Sequence, residues 1–357
     1  VTRLRSTAAR ALAAVARFEG WLNPIVVKEM RQAVQARYVT GLLLLFSVGL
    51  LVVMGAMALS DLRYGLSSDL GLRVFTVLYG ILLGTCMVLV PAYSAGRLMI
   101  ERSASRTDLF FITTLRPRSI IWGKFASGLV LVVLIYSASA PFLTFTYLLR
   151  GIDMSAIFIL LLVGLVGGAG AVAVALFIGC IPTSRLVKGF LALVGLGVVV
   201  GGYLMVLLGT IGVLRYGGGP WLTSSFALRT VLVLSLFVLD GIGLLLVASI
   251  AIISPASANR ALPLRLYVTI VWLLAAVGAY MWARSIGDRG PVQAWVILGV
   301  GTFCVGLLAA VSERTKLGPR VTRRIPRLGL LRPLAFLFYS GSAGGVAWCI
   351  LGIGLTL

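Results

Sequence analysis

The sequence predicts an all-α fold: a polytopic bundle of about nine transmembrane helices, with an amphipathic elbow helix before the first span and a cytoplasmic coupling helix after the second. Three observations carry the fold class. Hydrophobic residues make up 60% of the 357 residues and charged residues only 11%, against roughly 25% charged in soluble domains. Apolar runs of spanning length recur along the chain. The basic residues fall in the gaps between those runs.

A membrane-spanning helix needs about 20 mostly apolar residues. Runs of this kind cover approximately 41–60, 74–97, 121–149, 154–181, 187–212, 228–254, 266–284, 293–312 and 334–357. The first begins near Gly41, after a long charged stretch, and is too long for the apolar region of a cleaved signal peptide. With the N-terminus inside, cytoplasmic segments hold 24 of the 31 Lys and Arg residues and outer segments 7. That bias predicts a cytoplasmic N-terminus. It also explains the net charge of +21 as topology, without a nucleic-acid partner. Three segments follow: 1–40 as a cytoplasmic N-terminus with the elbow helix, 41–255 as a six-span core, and 256–357 as additional spans with a polybasic inner loop, Arg314 to Arg332.

The outer loops are short. The longest runs from Val213 to Ala227 and holds Gly217-Gly218-Gly219-Pro220-Trp221, read as an interfacial turn with a Trp anchor ahead of an outer gate. Gly164/Gly168, Gly197/Gly201 and Gly341/Gly345 repeat the G-x-x-x-G spacing that lets helix backbones approach closely.

Chemistry-bearing residues are few. There are no histidines, which removes the commonest metal ligand and general base. Cys86, Cys180, Cys304 and Cys349 each sit inside an apolar run with no C-x-x-C pairing, so neither a disulfide nor a metal framework is expected. No phosphate-binding G-x-x-x-x-G-K-[ST] occurs, so no ATP or other cofactor is expected on this chain and no enzymatic constellation is visible. Asp240 is the one acidic residue deep within an apolar run and is a candidate intramembrane polar site. A protonated Asp240 hydrogen-bonded to a neighbouring helix is the structural alternative. Thr144 and Thr146, beside Pro141, are further pore-lining candidates.

Two cytoplasmic segments carry more information. Asn23-Pro24 makes an N-cap and first-turn pair, after which Val27, Met30, Val34 and Tyr38 recur on one helical face. This is the pattern of a helix lying along the inner leaflet, in contact with membrane lipids. The second segment, Glu101-Arg102-Ser103-Ala104-Ser105-Arg106-Thr107-Asp108-Leu109-Phe110-Phe111-Ile112-Thr113-Thr114-Leu115, opens with charge and then places large apolar residues in a short inner loop. Burying each Leu or Phe stabilises by about 1.5–3 kcal/mol, so they pack on the protein's own helices, on lipid or on another protein.

These segments resemble the ABC-2 type transporter permeases, whose coupling-helix pattern is similar to Glu101, Arg102, Thr107, Asp108, Leu109, Thr113, Thr114, Leu115, Ile120 or Ile121, Gly123 and Lys124. Asn23-Pro24-Ile25-Val26 with Lys28, Glu29 and Arg31 looks like the start of such a permease. The resemblance covers roughly residues 20–255 and departs from the family at Arg106, where a Gly is usual before the Thr. It implies the membrane subunit of an ATP-driven exporter in a prokaryotic inner membrane, paired with a second permease chain as a homo- or heterodimer. A separate ABC ATPase subunit, carrying ATP and Mg, would dock on Glu101, Arg102, Thr107, Asp108, Leu109, Phe110, Phe111 and Thr114. A non-transporting scaffold that recruits partners through its basic loops is the competing reading, and an intramembrane lipid enzyme is a third.

Overall fold

The computed structural model describes residues 37–64, 70–103, 117–149, 152–217, 224–255, 258–313 and 332–357. Every regular element among them is helical. Helix α1 spans Arg37–Tyr64. Helix α2 (Leu70–Gly84) runs through a π turn, Thr85–Leu89, directly into α3 (Val90–Ser103). Then come α4 (Pro117–Leu148), α5 (Met154–Cys180) and α6 (Arg185–Gly212), the last ending in a second π turn, Val213–Gly217. The chain continues with α7 (Ser225–Ile253), α8 (Ala261–Ile286), α9 (Gly290–Val311), α10 (Arg332–Phe338) and α11 (Ser342–Thr356).

Eight helices among the described residues are long and apolar enough to cross a membrane. Each matches one of the first eight apolar runs. The ninth run differs: it is divided into α10 and α11, with Tyr339–Gly341 between them. The 15 residues of α11 rise about 22 Å, short of a hydrocarbon core of about 30 Å. Two boundaries also lie elsewhere than the apolar runs suggest. Helix α3 carries Glu101 and Arg102 on its last turn, because Arg, Leu, Met and Glu are good helix formers and nothing stops the helix at the membrane edge. The fifth span runs on through Val213–Gly217, the start of the expected outer loop.

The chain forms two compact units, Val1–Leu246 and Val247–Leu357, with the division inside α7. The sequence placed its own boundary at Pro255.

In the first unit, α5 is the central helix and packs on α3, α4, α6 and the first π turn. Its small residues make this possible, since glycines let neighbouring backbones approach where no hydrophobic force separates helix from lipid. A Cβ on Gly164 would lie 2.5 Å from the Tyr136 hydroxyl, 2.8 Å from Leu83 and 2.9 Å from the Tyr79 hydroxyl. Tyr79 donates a 2.6 Å hydrogen bond to the Leu160 carbonyl and stacks on Phe75 at 5.4 Å. On α4, Gly128 leaves room for Val172. Helix α2 buries Val74, Phe75, Leu78, Tyr79, Leu82 and Leu83, one continuous helical face. Helix α1, by contrast, shows Leu44, Leu45, Val48, Leu51 and Val52 on its surface, as a lipid-facing helix does.

In the second unit, Gly287 closes α8 in the left-handed conformation (φ 75°), its N–H reaching the Ala283 carbonyl. The turn is short, so α8 and α9 lie antiparallel and in contact. Helix α11 packs along α9. Phe303 fills the gap where Gly352 has no side chain, and it meets Trp348 and Trp272 edge-on at 5.1 and 5.8 Å. Trp272 stacks on Trp295 at 5.5 Å, and the Trp295 indole N–H donates to the Trp272 carbonyl.

Candidate functional site

Two places in the first unit bear on function, the inner junction around 101–124 and a groove between α2 and α6. The junction is built from two helices that end and restart there. Helix α3 finishes at Ser103 and α4 begins at Pro117, a residue suited to a first turn because its missing N–H would have no helical partner. Both helices pack on α5 and on each other. Beyond Pro117 the motif is embedded in the bundle: Ile121 is fully buried, Gly123 is buried and Lys124 is only 8% exposed. Trp122 and Phe125, on adjoining faces, meet edge-on at 6.1 Å.

The other predicted coupling residues divide. Glu101 and Arg102 occupy the end of α3. Thr107, Asp108, Leu109, Phe110, Phe111 and Thr114 lie outside the described residues, as do Val27, Met30 and Val34 of the expected elbow helix. Tyr38 belongs to the first turn of α1, continuous with the first span.

The groove has a volume of about 500 Å³ and is walled by Thr76, Val77, Gly80, Ile81, Gly84, Thr85 and Leu89 on one side and by Tyr203, Leu207 and Ile211 on the other. Spacings of three, four and seven along α2 and of four along α6 put each set on one helical face. The helices run antiparallel. A Cβ on Gly80 would meet Leu207 at 3.4 Å, one on Gly84 would meet the Tyr203 ring at 3.7 Å, and one on Gly202 would meet Met87 at 3.6 Å. Both walls carry π turns: Thr85–Leu89 lies within the α2 wall, and Val213–Gly217 follows the α6 wall after Ile211. In the first, the Val90 N–H reaches the Thr85 carbonyl, five residues back. Such turns cluster at functional sites because they rotate one helical face against the rest of the rod. The Thr76 and Thr85 hydroxyls bond to the carbonyls of Leu72 and Ile81, so the groove floor offers few free donors.

Asp240 lies half-buried on α7 and takes part in a polar interaction. It is flanked by Val238 and Ile242, which face Gly170 of α5. Thr144 and Thr146 direct their hydroxyls to the Ala140 and Leu143 carbonyls of their own helix. These bonds occupy their donors within α4 around Pro141.

A polar centre that the sequence reading passed over lies in the second unit. Arg265, counted as a loop residue, is 3% exposed on the second turn of α8. Its guanidinium donates to the carbonyls of Leu337 (2.7 Å), Tyr339 (2.9 Å) and Gly341 (3.3 Å) and to the Glu313 carboxylate (2.5 Å). Glu313 also accepts the Gly341 N–H at 3.0 Å. Asn259 completes the seam by accepting from the Ser340 N–H and hydroxyl. These bonds satisfy the backbone groups freed where the ninth run breaks, the physical reason that α10 and α11 are separate. An Arg four residues after the start of a mainly apolar helix, with a Glu just past the next helix, was the available signal.

No family model, curated protein or solved structure matches this chain.

Proposed function

We propose that this chain is the membrane-spanning permease subunit of an ATP-driven exporter, energised by a separate ABC ATPase subunit that docks on the segment around Asp108–Leu115. The observation that supports this reading most is the embedding of Ile121, Gly123 and Lys124, together with the helices on both sides of that segment. A coupling segment must transmit force. Here a displacement of residues 104–116 would act on α3 and α4, each packed along α5. A ligand-driven rigid-body shift of this kind moves between discrete packings rather than bending a helix. The apolar residues Leu109, Phe110, Phe111 and Ile112 supply a docking surface that would be costly to leave in water. On this reading ATP and Mg belong to the partner, a second permease chain completes the transporter, and the N-terminus and polybasic loops face the cytoplasm of a prokaryote.

The test is a mild-detergent purification of the tagged chain with photo-crosslinking residues at positions 110 and 111. Capture of an ABC-type ATPase whose hydrolysis the permease stimulates would support the proposal. Crosslinks confined to lipid or to the chain's own helices would remove the docking argument and favour a scaffold.

A further inference from the structure

We propose that the groove between α2 and α6 binds an anionic phospholipid, with an acyl chain along the apolar walls and the phosphate held by Arg73 and Arg215. The register places these two arginines at one mouth of the groove. Gly80 lies beside Leu207 and Gly84 beside Tyr203, so each residue back along α2 matches one forward along α6. Extending that antiparallel register sets Thr76 opposite Ile211, both lining residues, and Arg73 opposite Leu214 and Arg215. Arg73 lies three residues before Thr76 and four before Val77, and Arg215 lies four after Ile211. Arg73 is therefore one turn beyond the lining on the groove face of α2, and Arg215 follows the α6 lining by one turn, within the π turn Val213–Gly217.

The chemistry of the mouth and that of the walls differ as an amphiphile requires. Arg73 and Arg215 are exposed, and neither has an ion pair or hydrogen bond among the described residues. Two cations at the end of apolar helices attract phosphate, and a guanidinium fits its oxygens with paired donors. Below them the walls are Val77, Gly80, Ile81, Gly84, Leu89, Leu207 and Ile211 in the main. From Thr76 to Leu89 the helix rises about 20 Å, more than half of a hydrocarbon core of about 30 Å. A volume of about 500 Å³ is within the range of small-molecule sites. Leu207 and the Tyr203 ring lie against Gly80 and Gly84 and narrow the slot there. The Lys and Arg bias assigns this mouth to the outer face, so the lipid would come from the outer leaflet. None of this depends on how the protein is energised.

The experiment reconstitutes the full chain in phosphatidylcholine nanodiscs containing a photoreactive phosphatidylglycerol, or in parallel a photoreactive phosphatidylcholine, and maps the labelled peptides. Labelling concentrated on 76–89 and 203–211 by the anionic probe is expected. Arg73→Gln and Arg215→Gln should each lower its excess over the zwitterionic probe about five-fold, and Arg284→Gln, in the second unit, should leave it unchanged. Gly80→Leu should block labelling by both probes. The proposal is overturned if both probes label these peptides equally, if the double arginine variant labels like the parent, if inorganic phosphate at millimolar concentration abolishes the anionic preference, or if the groove residues crosslink to a second copy of the chain. Retained helical content and thermal unfolding show that each variant is folded.

Discussion

Arg265 and Glu313 pair at 2.5 Å between the start of α8 and the second residue beyond α9, and both hold the same break in the backbone at Gly341. The arginine side chain is 4% exposed and the glutamate 28%. Gly345 lies against the guanidinium, where a Cβ would come within 2.6 Å of it. The pair therefore decides where α11 begins.

Removing the arginine takes the donor from the Leu337 and Tyr339 carbonyls and leaves the Glu313 carboxylate without its cation. Losing one partner of a buried pair costs about 3–5 kcal/mol, and Arg265→Met is expected to fall near that range. Glu313→Gln, which keeps an acceptor for the Gly341 N–H, should cost less. Thermal unfolding followed by the emission of the cluster of Trp272, Trp295 and Trp348 would show both effects.

Two of the G-x-x-x-G pairs should respond differently to alanine. At Gly164 the new methyl would press on Tyr136, Leu83 and Tyr79, and overpacking of this kind costs about 1–3 kcal/mol. At Gly197 and Gly201 nothing lies within 4 Å. There Ala should be neutral or stabilising by up to about 1 kcal/mol, through helix propensity alone. Detergent melts of the three single variants make the comparison directly.

Tyr79→Phe removes the hydrogen bond to the Leu160 carbonyl and leaves the ring stack with Phe75 intact. The expected loss is about 1 kcal/mol. A loss above about 3 kcal/mol would mean that the hydroxyl supports more of the packing at Gly164 than this single bond.

Orientation can be read with single cysteines at the two ends of α9, in a background lacking the four native ones. Asp288 and Ser312 are both exposed. If the Lys and Arg bias governs insertion, an impermeant maleimide added to intact cells should label Asp288→Cys and spare Ser312→Cys. The reverse pattern would invert the topology.

Changes of charge or bulk at Asp108, Phe110 or Phe111 are expected to leave the assembled complex hydrolysing ATP while transport fails. Normal coupling in all three variants would argue against docking on this segment.

The sequence by itself determined the fold class and where eight of the long helices lie. The hydrocarbon core imposes a length and a composition that any single helix must meet, whatever its neighbours. The tertiary structure decided the rest. The spacing of Gly164/Gly168 is the same as that of Gly197/Gly201, yet Gly164 and Gly168 meet neighbouring side chains while Gly197 and Gly201 face open space. Gly341, paired with Gly345 by the same spacing, lies just before α11, at its N-cap. The groove was equally hidden, since Thr76, Gly80 and Gly84 acquire meaning only opposite Tyr203, Leu207 and Ile211, far along the chain. An apolar run of fixed length predicts a helix, but polar bonds from other helices decide whether it continues. That is why Arg265 and Glu313, inconspicuous in the sequence, divide the ninth run in two.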